Sequence, residues 1–243
     1  MIRETIDISK NFFFYTFNVN ECQNEINWAK ETSLKKVNNT IDSWQYRTST
    51  KRFTNIFQGD LAKNIVKKFI SSNIPDLSLV EYDEVRTDNF RNRDLYDLKF
   101  QNFEIEVKSS AEKQNLSLID FYNRRRIIVN QGNCHEHDFF MTFQVFYKPK
   151  SNSINFFQNE NYLEEDLDVF CNKYLNDFFE KVDKIIIAGA ITKKMLQNKN
   201  NKLFSVSNSY ANASSRSYID FFVKDSLSPD EAIKYIKDTL ENN

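Results

Sequence analysis

From Asp97 to Lys108 charged and apolar residues alternate: Leu98, Phe100, Phe103, Ile105 and Val107 against Asp97, Lys99, Glu104, Glu106 and Lys108, with Gln101-Asn102 between. Successive side chains of a strand point to opposite faces, so a period of two defines a half-buried strand with one apolar and one charged side. Taking Gln101-Asn102 as a two-residue turn folds the stretch into a hairpin. Phe100 then pairs with Phe103, Leu98 with Ile105 and Asp97 with Glu106. That register gathers Asp97, Lys99, Glu104, Glu106 and Lys108 on a single face.

The remaining chain mixes both periodicities. Phe57, Leu61, Ile65 and Phe69, flanked by Ala62, Val66 and Ile70, form a broad apolar helix face that ends at Asn73-Ile74-Pro75. Residues 12–17 are an aromatic run compatible with a strand or a buried helical turn. Residues 79–85 read as a strand with a charged face, 117–129 as a helix and 139–147 as an aromatic strand. Leu167, Phe170, Cys171, Tyr174, Phe178 and Val182 have helical spacing, and residues 184–191 form the apolar run of a buried strand. Residues 218–223 read as another strand. Ser228-Pro229-Asp230-Glu231 supplies an N-cap, a proline at the first helical position and a glutamate closing a capping box. Helices alternating with strands predict an α/β fold with a central mixed β-sheet flanked by helices.

Composition removes whole classes of site. Average usage predicts roughly 17 glycines in a chain of this length; there are 3, Gly59, Gly132 and Gly189, widely separated. No glycine-rich loop that cradles phosphate is possible. Lys+Arg 33 against Asp+Glu 34 gives a net charge of -1, so contact with a polyanion would need local basic patches. Cys22, Cys134 and Cys171 form no CxxC pair and read as reduced thiols of a cytoplasmic protein. The first residues lack the pattern of a signal peptide, and no apolar run reaches membrane-spanning length. Cys134-His135-Glu136-His137 suggests zinc at first sight. Four contiguous residues rarely converge in a tetrahedron, however, and the segment reads as a polar loop around Gly132. Both histidines of the chain lie there, so no histidine-based acid–base pair can be built elsewhere.

The charged face of the hairpin has a plain chemical use. Asp97 and Glu106 offer the hard oxygen ligands that Mg²⁺ takes from one or two carboxylates, and the carbonyl of Val107 lies beside them. Lys108 can orient or help deprotonate an attacking water, or offset charge building on a phosphate.

Asp97, eight intervening residues and Glu106-Val107-Lys108, with apolar residues between the charges, resemble the PD-(D/E)xK nuclease superfamily, the fold of most type II restriction endonucleases. The flanking order is similar: a helix at 59–70, an aromatic strand at 138–147 containing Phe143-Gln144-Val145-Phe146-Tyr147, and a strand-glycine-Thr-Lys-Lys segment at 185–196. The resemblance covers about residues 56–225 and implies a single nuclease domain over 1–243, with 1–55 as a helical or DNA-contacting extension. It implies a restriction-endonuclease-like sheet and a Mg²⁺-dependent, sequence-specific type II enzyme that cuts double-stranded DNA. Asp97, Glu106 and Lys108 would be catalytic, with Asp97, Glu106 and Val107 at the metal. It further implies a homodimer, since cutting both strands of a symmetric site needs two centres, and a cognate DNA methyltransferase in the same system. A repair or phage-defence nuclease with little sequence preference, and an inactive DNA-binding module of the same fold, are the alternatives. In the nuclease reading Arg124, Arg125 and Arg126 reach phosphates or guanine edges. The sequence departs from the family in having Tyr96, not proline, before the aspartate. The helix glutamate that often completes the metal site is replaced by Gly59-Asp60-Leu61, which leaves Asp60 as a substitute ligand. Asp94 is a rival for Asp97.

Overall fold

The most continuously apolar stretches of the chain become the middle of its sheet. A computed structural model describes residues 1–39, 48–91, 94–130, 139–152, 166–198, 203–206 and 216–241. The strands are β1 (Ile2–Asp7), β2 (Phe12–Asn18), β3 (Val80–Glu81), β4 (Leu98–Phe100), β5 (Phe103–Ala111), β6 (Arg126–Asn130), β7 (Phe139–Pro149), β8 (Val182–Thr192), β9 (Leu203–Val206) and β10 (Arg216–Phe222). The helices are α1 (Gln23–Val37), α2 (Ser49–Asn73), α3 (Tyr82–Val85), α4 (Leu118–Arg124), α5 (Leu167–Lys181), α6 (Lys193–Asn198) and α7 (Pro229–Glu241).

Seven strands form one sheet in the order β1-β2-β8-β7-β5-β4-β3, and β6-β10-β9 form a second, smaller one. In the large sheet β5 and β7 run parallel and every other neighbouring pair is antiparallel, so the sheet is mixed, as the alternation of elements predicts. β7 and β8 are central because both their faces are covered, which is why they read as unbroken apolar runs. On one face Phe143, Val145, Tyr147, Ile185 and Ile187 pack with Phe57, Leu61, Ile65 and Phe69 of α2, Phe178 of α5 and Ile236 of α7. On the other, Phe12, Phe14, Phe146, Ile186 and Ala188 pack with Phe121 and Tyr122 of α4 and with Ile127, Val129, Ile219 and Phe221 of the small sheet. Helices and a second sheet thus sandwich the seven strands.

The paired part of the hairpin has the predicted register, with Leu98 opposite Ile105, Lys99 opposite Glu104 and Phe100 opposite Phe103, but the expected Asp97–Glu106 pair does not form, because Asp97 N bonds to the Ile105 carbonyl instead. The Phe100 and Phe103 rings stack at 5.0 Å. Gln101 takes the turn at φ 49°, a left-handed conformation that side chains other than Gly, Asn and Asp adopt at a cost. The predicted α2 face is buried, and the helix ends with Ile74 as its C-cap. The α7 capping box closes in both directions: Ser228 N donates to Glu231 Oε2 at 2.7 Å and Glu231 N to Ser228 Oγ at 3.3 Å.

Several expectations change. Residues 12–17 are strand. Only Val80 and Glu81 of the 79–85 segment pair in the sheet; Tyr82–Val85 turns into a helix because Glu81 and Glu84 cap it reciprocally. Residues 117–129 are not one helix. Ser117 caps α4, which stops at Arg124, and the following residues pair with β10, burying Ile127 and Val129 while Ile128 faces outward. Val182 begins β8 instead of ending α5. Residues 1–55, read as a possible extension, contribute two outer strands of the large sheet as well as α1, which packs on α2. The Cys134-His135-Glu136-His137 segment lies outside the described residues.

Candidate active site

Strand β5 carries three of the four expected site residues, and the end of its hairpin partner delivers the fourth. The β4–β5 ladder ends at Leu98 and Ile105, after which Asp97 N donates to the Ile105 carbonyl at 3.2 Å. The next available β5 amide, Val107 N–H, is taken by the Asp97 side chain, Oδ2 accepting at 2.6 Å. A carboxylate therefore replaces a ladder carbonyl at the point where the two strands part. In a strand the N–H and C=O of one residue point to the same side. The Val107 carbonyl consequently faces the Asp97 side of β5, away from β7.

Glu106 is buried, with 10% of its side chain exposed, and forms an ion pair with Lys108, which is about one-third exposed. Glu106 stands opposite Thr142, and Lys108 opposite Gln144, in the parallel ladder with β7. Glu106 also lines a small cleft with Val129, Met141, Thr142, Ile191, Lys193 and Leu196. Burial pushes the Asp97 carboxyl up to about 6, against Lys63, the Val107 amide and Lys108, with the Glu106 charge adding to the rise. The Asp97 carboxyl thus feels the Glu106 charge on one side and the Lys63 and Lys108 cations on the other.

Beneath Asp97 lies a buried charge network that the sequence did not announce. Lys36 of α1 donates to Asp60 Oδ1 at 2.5 Å and to Asp83 Oδ2 at 2.6 Å. Lys63 of α2 meets Asp83, Glu81 at 3.4 Å and Asp60 at 3.6 Å. Burial raises the Asp83 carboxyl, but Lys63 and Lys36 outweigh it and hold it at about 2. Burial also works against the Lys63 ammonium, yet Asp60, Asp83, Asp97 and Glu81 together keep it firmly protonated. Asp60, the expected substitute ligand, is committed to Lys36, Lys63 and the Ser33 hydroxyl. Asp94 pairs with Arg86 and is not interchangeable with Asp97.

Each arginine of the basic cluster has an acidic partner within the chain: Arg124 with Asp120, Arg125 with Glu112 and Arg126 with Asp220. Arg125 is the least exposed of the three, and Arg124 and Arg126 reach solvent. Lys193, one of many scattered lysines in the sequence, shares the Glu106 cleft. A lysine on the apolar face of α2, one turn after an aspartate there, was the available signal for Lys63.

Among the described residues no group of three or more His, Cys, Asp or Glu side chains is placed to hold a metal ion. Two carboxylates and a main-chain carbonyl nevertheless constitute a hard-oxygen donor set of the kind Mg²⁺ completes with water. Comparison with family models, curated proteins and solved structures finds no match to this chain. No helix among the described residues is long and apolar enough to cross a membrane.

Proposed function

We propose that this protein is a Mg²⁺-dependent endonuclease of restriction-endonuclease-like fold that hydrolyses phosphodiester bonds of double-stranded DNA, most specifically a type II restriction enzyme. The observation that carries the reading is the placement of two carboxylates around one stretch of strand, Asp97 locked to the Val107 amide and Glu106 paired with Lys108. Asp97, Glu106 and the Val107 carbonyl would hold the cation, which supplies Lewis acidity and charge neutralisation at a phosphate. Lys108, anchored by Glu106 and open to solvent, holds and orients the water that attacks phosphorus, and its ammonium faces the charge that builds there. The exposed Arg124 and Arg126 would contact the DNA backbone, with Arg125 set back against Glu112. Cutting both strands at one place calls for two such centres, hence a homodimer, and a specific enzyme calls for a methyltransferase that protects the host's sites.

The purified protein is expected to cut supercoiled plasmid with Mg²⁺ and not with EDTA. Lys108→Ala should remove the activity and leave the circular dichroism spectrum unchanged. Full activity in that variant overturns the assignment. One observation favours the reading of a nuclease with little sequence preference: the arginines expected to read bases already have acidic partners within the chain. Discrete plasmid fragments support restriction; a smear supports the second reading.

A further inference from the structure

Asp97 is delivered by a segment with little to hold it. Among the described residues, nothing between α3 and β4 is helix or strand, and Leu95 is half exposed. Arg86 makes several contacts along the segment. Arg86, its side chain only 4% exposed, directs Nε and Nη2 at the Asp88 carboxylate at 2.7 and 3.1 Å. Its Nη1 meets Asp83 at 3.4 Å and also Asp94. Its guanidinium lies 5.1 Å from the Tyr82 ring and 4.7 Å from the Phe90 ring. Phe90, together with Asn89, takes the left-handed backbone (φ 61° and 51°) that wraps the chain around the cation.

Two routes lead from Arg86 to Asp97. The ion pair with Asp94 fixes the chain three residues upstream. The Tyr82 ring, against which Arg86 lies, meets the Tyr96 ring edge-on at 5.2 Å, and Tyr96 immediately precedes Asp97. The clamp is rooted in the helices through Asp83, which also accepts from Lys36 and Lys63. Three carboxylates and two rings around one planar fork make a site that the point charge of a lysine cannot reproduce.

We infer that Arg86 is a positioning residue: it ties Asp83, Asp88 and Asp94 to one another and thereby sets Asp97 against the Val107 amide. Its consequence for cation affinity and rate rests on the function proposed above. Groups that orient metal ligands change affinity or activity by about 10–100-fold when removed.

Val107 N–H, bound to the Asp97 carboxylate, reports the position of Asp97 whether or not the protein is a nuclease. Arg86→Met should speed exchange of the Val107 amide by at least about 10-fold. It should also raise the Mg²⁺ concentration for half-maximal plasmid cleavage by about 10-fold and lower kcat, with KM for DNA unchanged within about 2-fold. Arg86→Lys should fall between the wild type and Arg86→Met, and Asp94→Asn should shift the same readouts in the same direction by less. A folded Arg86→Met whose Val107 amide exchanges as in the wild type overturns the inference, as does a change confined to KM. If Arg86→Met does not fold, unchanged Val107 exchange in both Arg86→Lys and Asp94→Asn overturns it. A wild-type protein that neither binds Mg²⁺ nor cuts DNA refutes the proposed function alone, and the amide exchange still decides the role of Arg86.

Discussion

Replacing Asp97 with Asn should make the protein more stable at neutral pH while abolishing the proposed activity. Asn keeps an acceptor for the Val107 amide and removes the charge. The Asp97 carboxyl has an ordinary value of 3.8 and is raised to about 6 in the folded protein, chiefly by burial. The folded state therefore binds this proton more tightly than the unfolded chain. The associated stability is fully present below about pH 4 and is lost as the pH rises through about 6. Some 2 units at 1.36 kcal/mol each amount to about 3 kcal/mol that the ionised carboxylate costs at pH 8. Urea unfolding of both proteins in EDTA from pH 4 to pH 8 measures the difference directly. It should be near zero at pH 4 and approach about 3 kcal/mol in favour of Asp97→Asn at pH 8. Taking the difference cancels groups shifted the other way, Asp83 among them. Mg²⁺ at ten times its Kd should return about 1.4 kcal/mol to the wild type and nothing to the variant. An Asp97→Asn protein less stable than the wild type at pH 8 would refute the reasoning, because Asp97 would then be a satisfied structural ion.

Three further outcomes test the packing around the site. Gly189→Ala should destabilise by about 1–3 kcal/mol in thermal unfolding, since an added Cβ falls 2.7 Å from the Leu227 carbonyl, which accepts from Ala190 N at 2.9 Å while Leu227 N donates to the Ala190 carbonyl at 2.9 Å; an unchanged Tm would show that the C-terminal segment gives way. Lys63→Ala leaves Glu81 and Asp83 short of a buried cation and should cost about 3–5 kcal/mol in urea unfolding, whereas a loss under about 1 kcal/mol would mean that Lys36 and Lys67 suffice. Gln101→Gly should relieve the left-handed turn of the hairpin and gain up to about 1 kcal/mol, and a loss of stability would place the Gln101 side chain in a contact that matters.

What could be read along the chain was whatever repeats locally. The alternation through β5, the four-residue spacing of α2, the apolar run of β8 and the capping box of α7 each record which side of a single element is buried. The hairpin register, set by a two-residue turn, was legible as far as Leu98 and Ile105, whereas the position of Asp97 just past the ladder, on the Ile105 carbonyl and the Val107 amide, was not. α1 escaped notice because its buried face includes Ser33 and Lys36, which no apolar periodicity detects. The 117–129 segment misled because consecutive apolar residues at 127–129 fit a helix until pairing with β10 selects a strand. The charge network under Asp97 was beyond any local pattern: Lys36 joins acids 24 and 47 residues away, and Arg86 gathers the carboxylates of Asp83, Asp88 and Asp94. A buried apolar side chain needs only an apolar neighbour, so its place shows in the period of its own element. A buried charge is tolerated only beside a particular opposite charge, and the tertiary fold alone determines which distant residue that is.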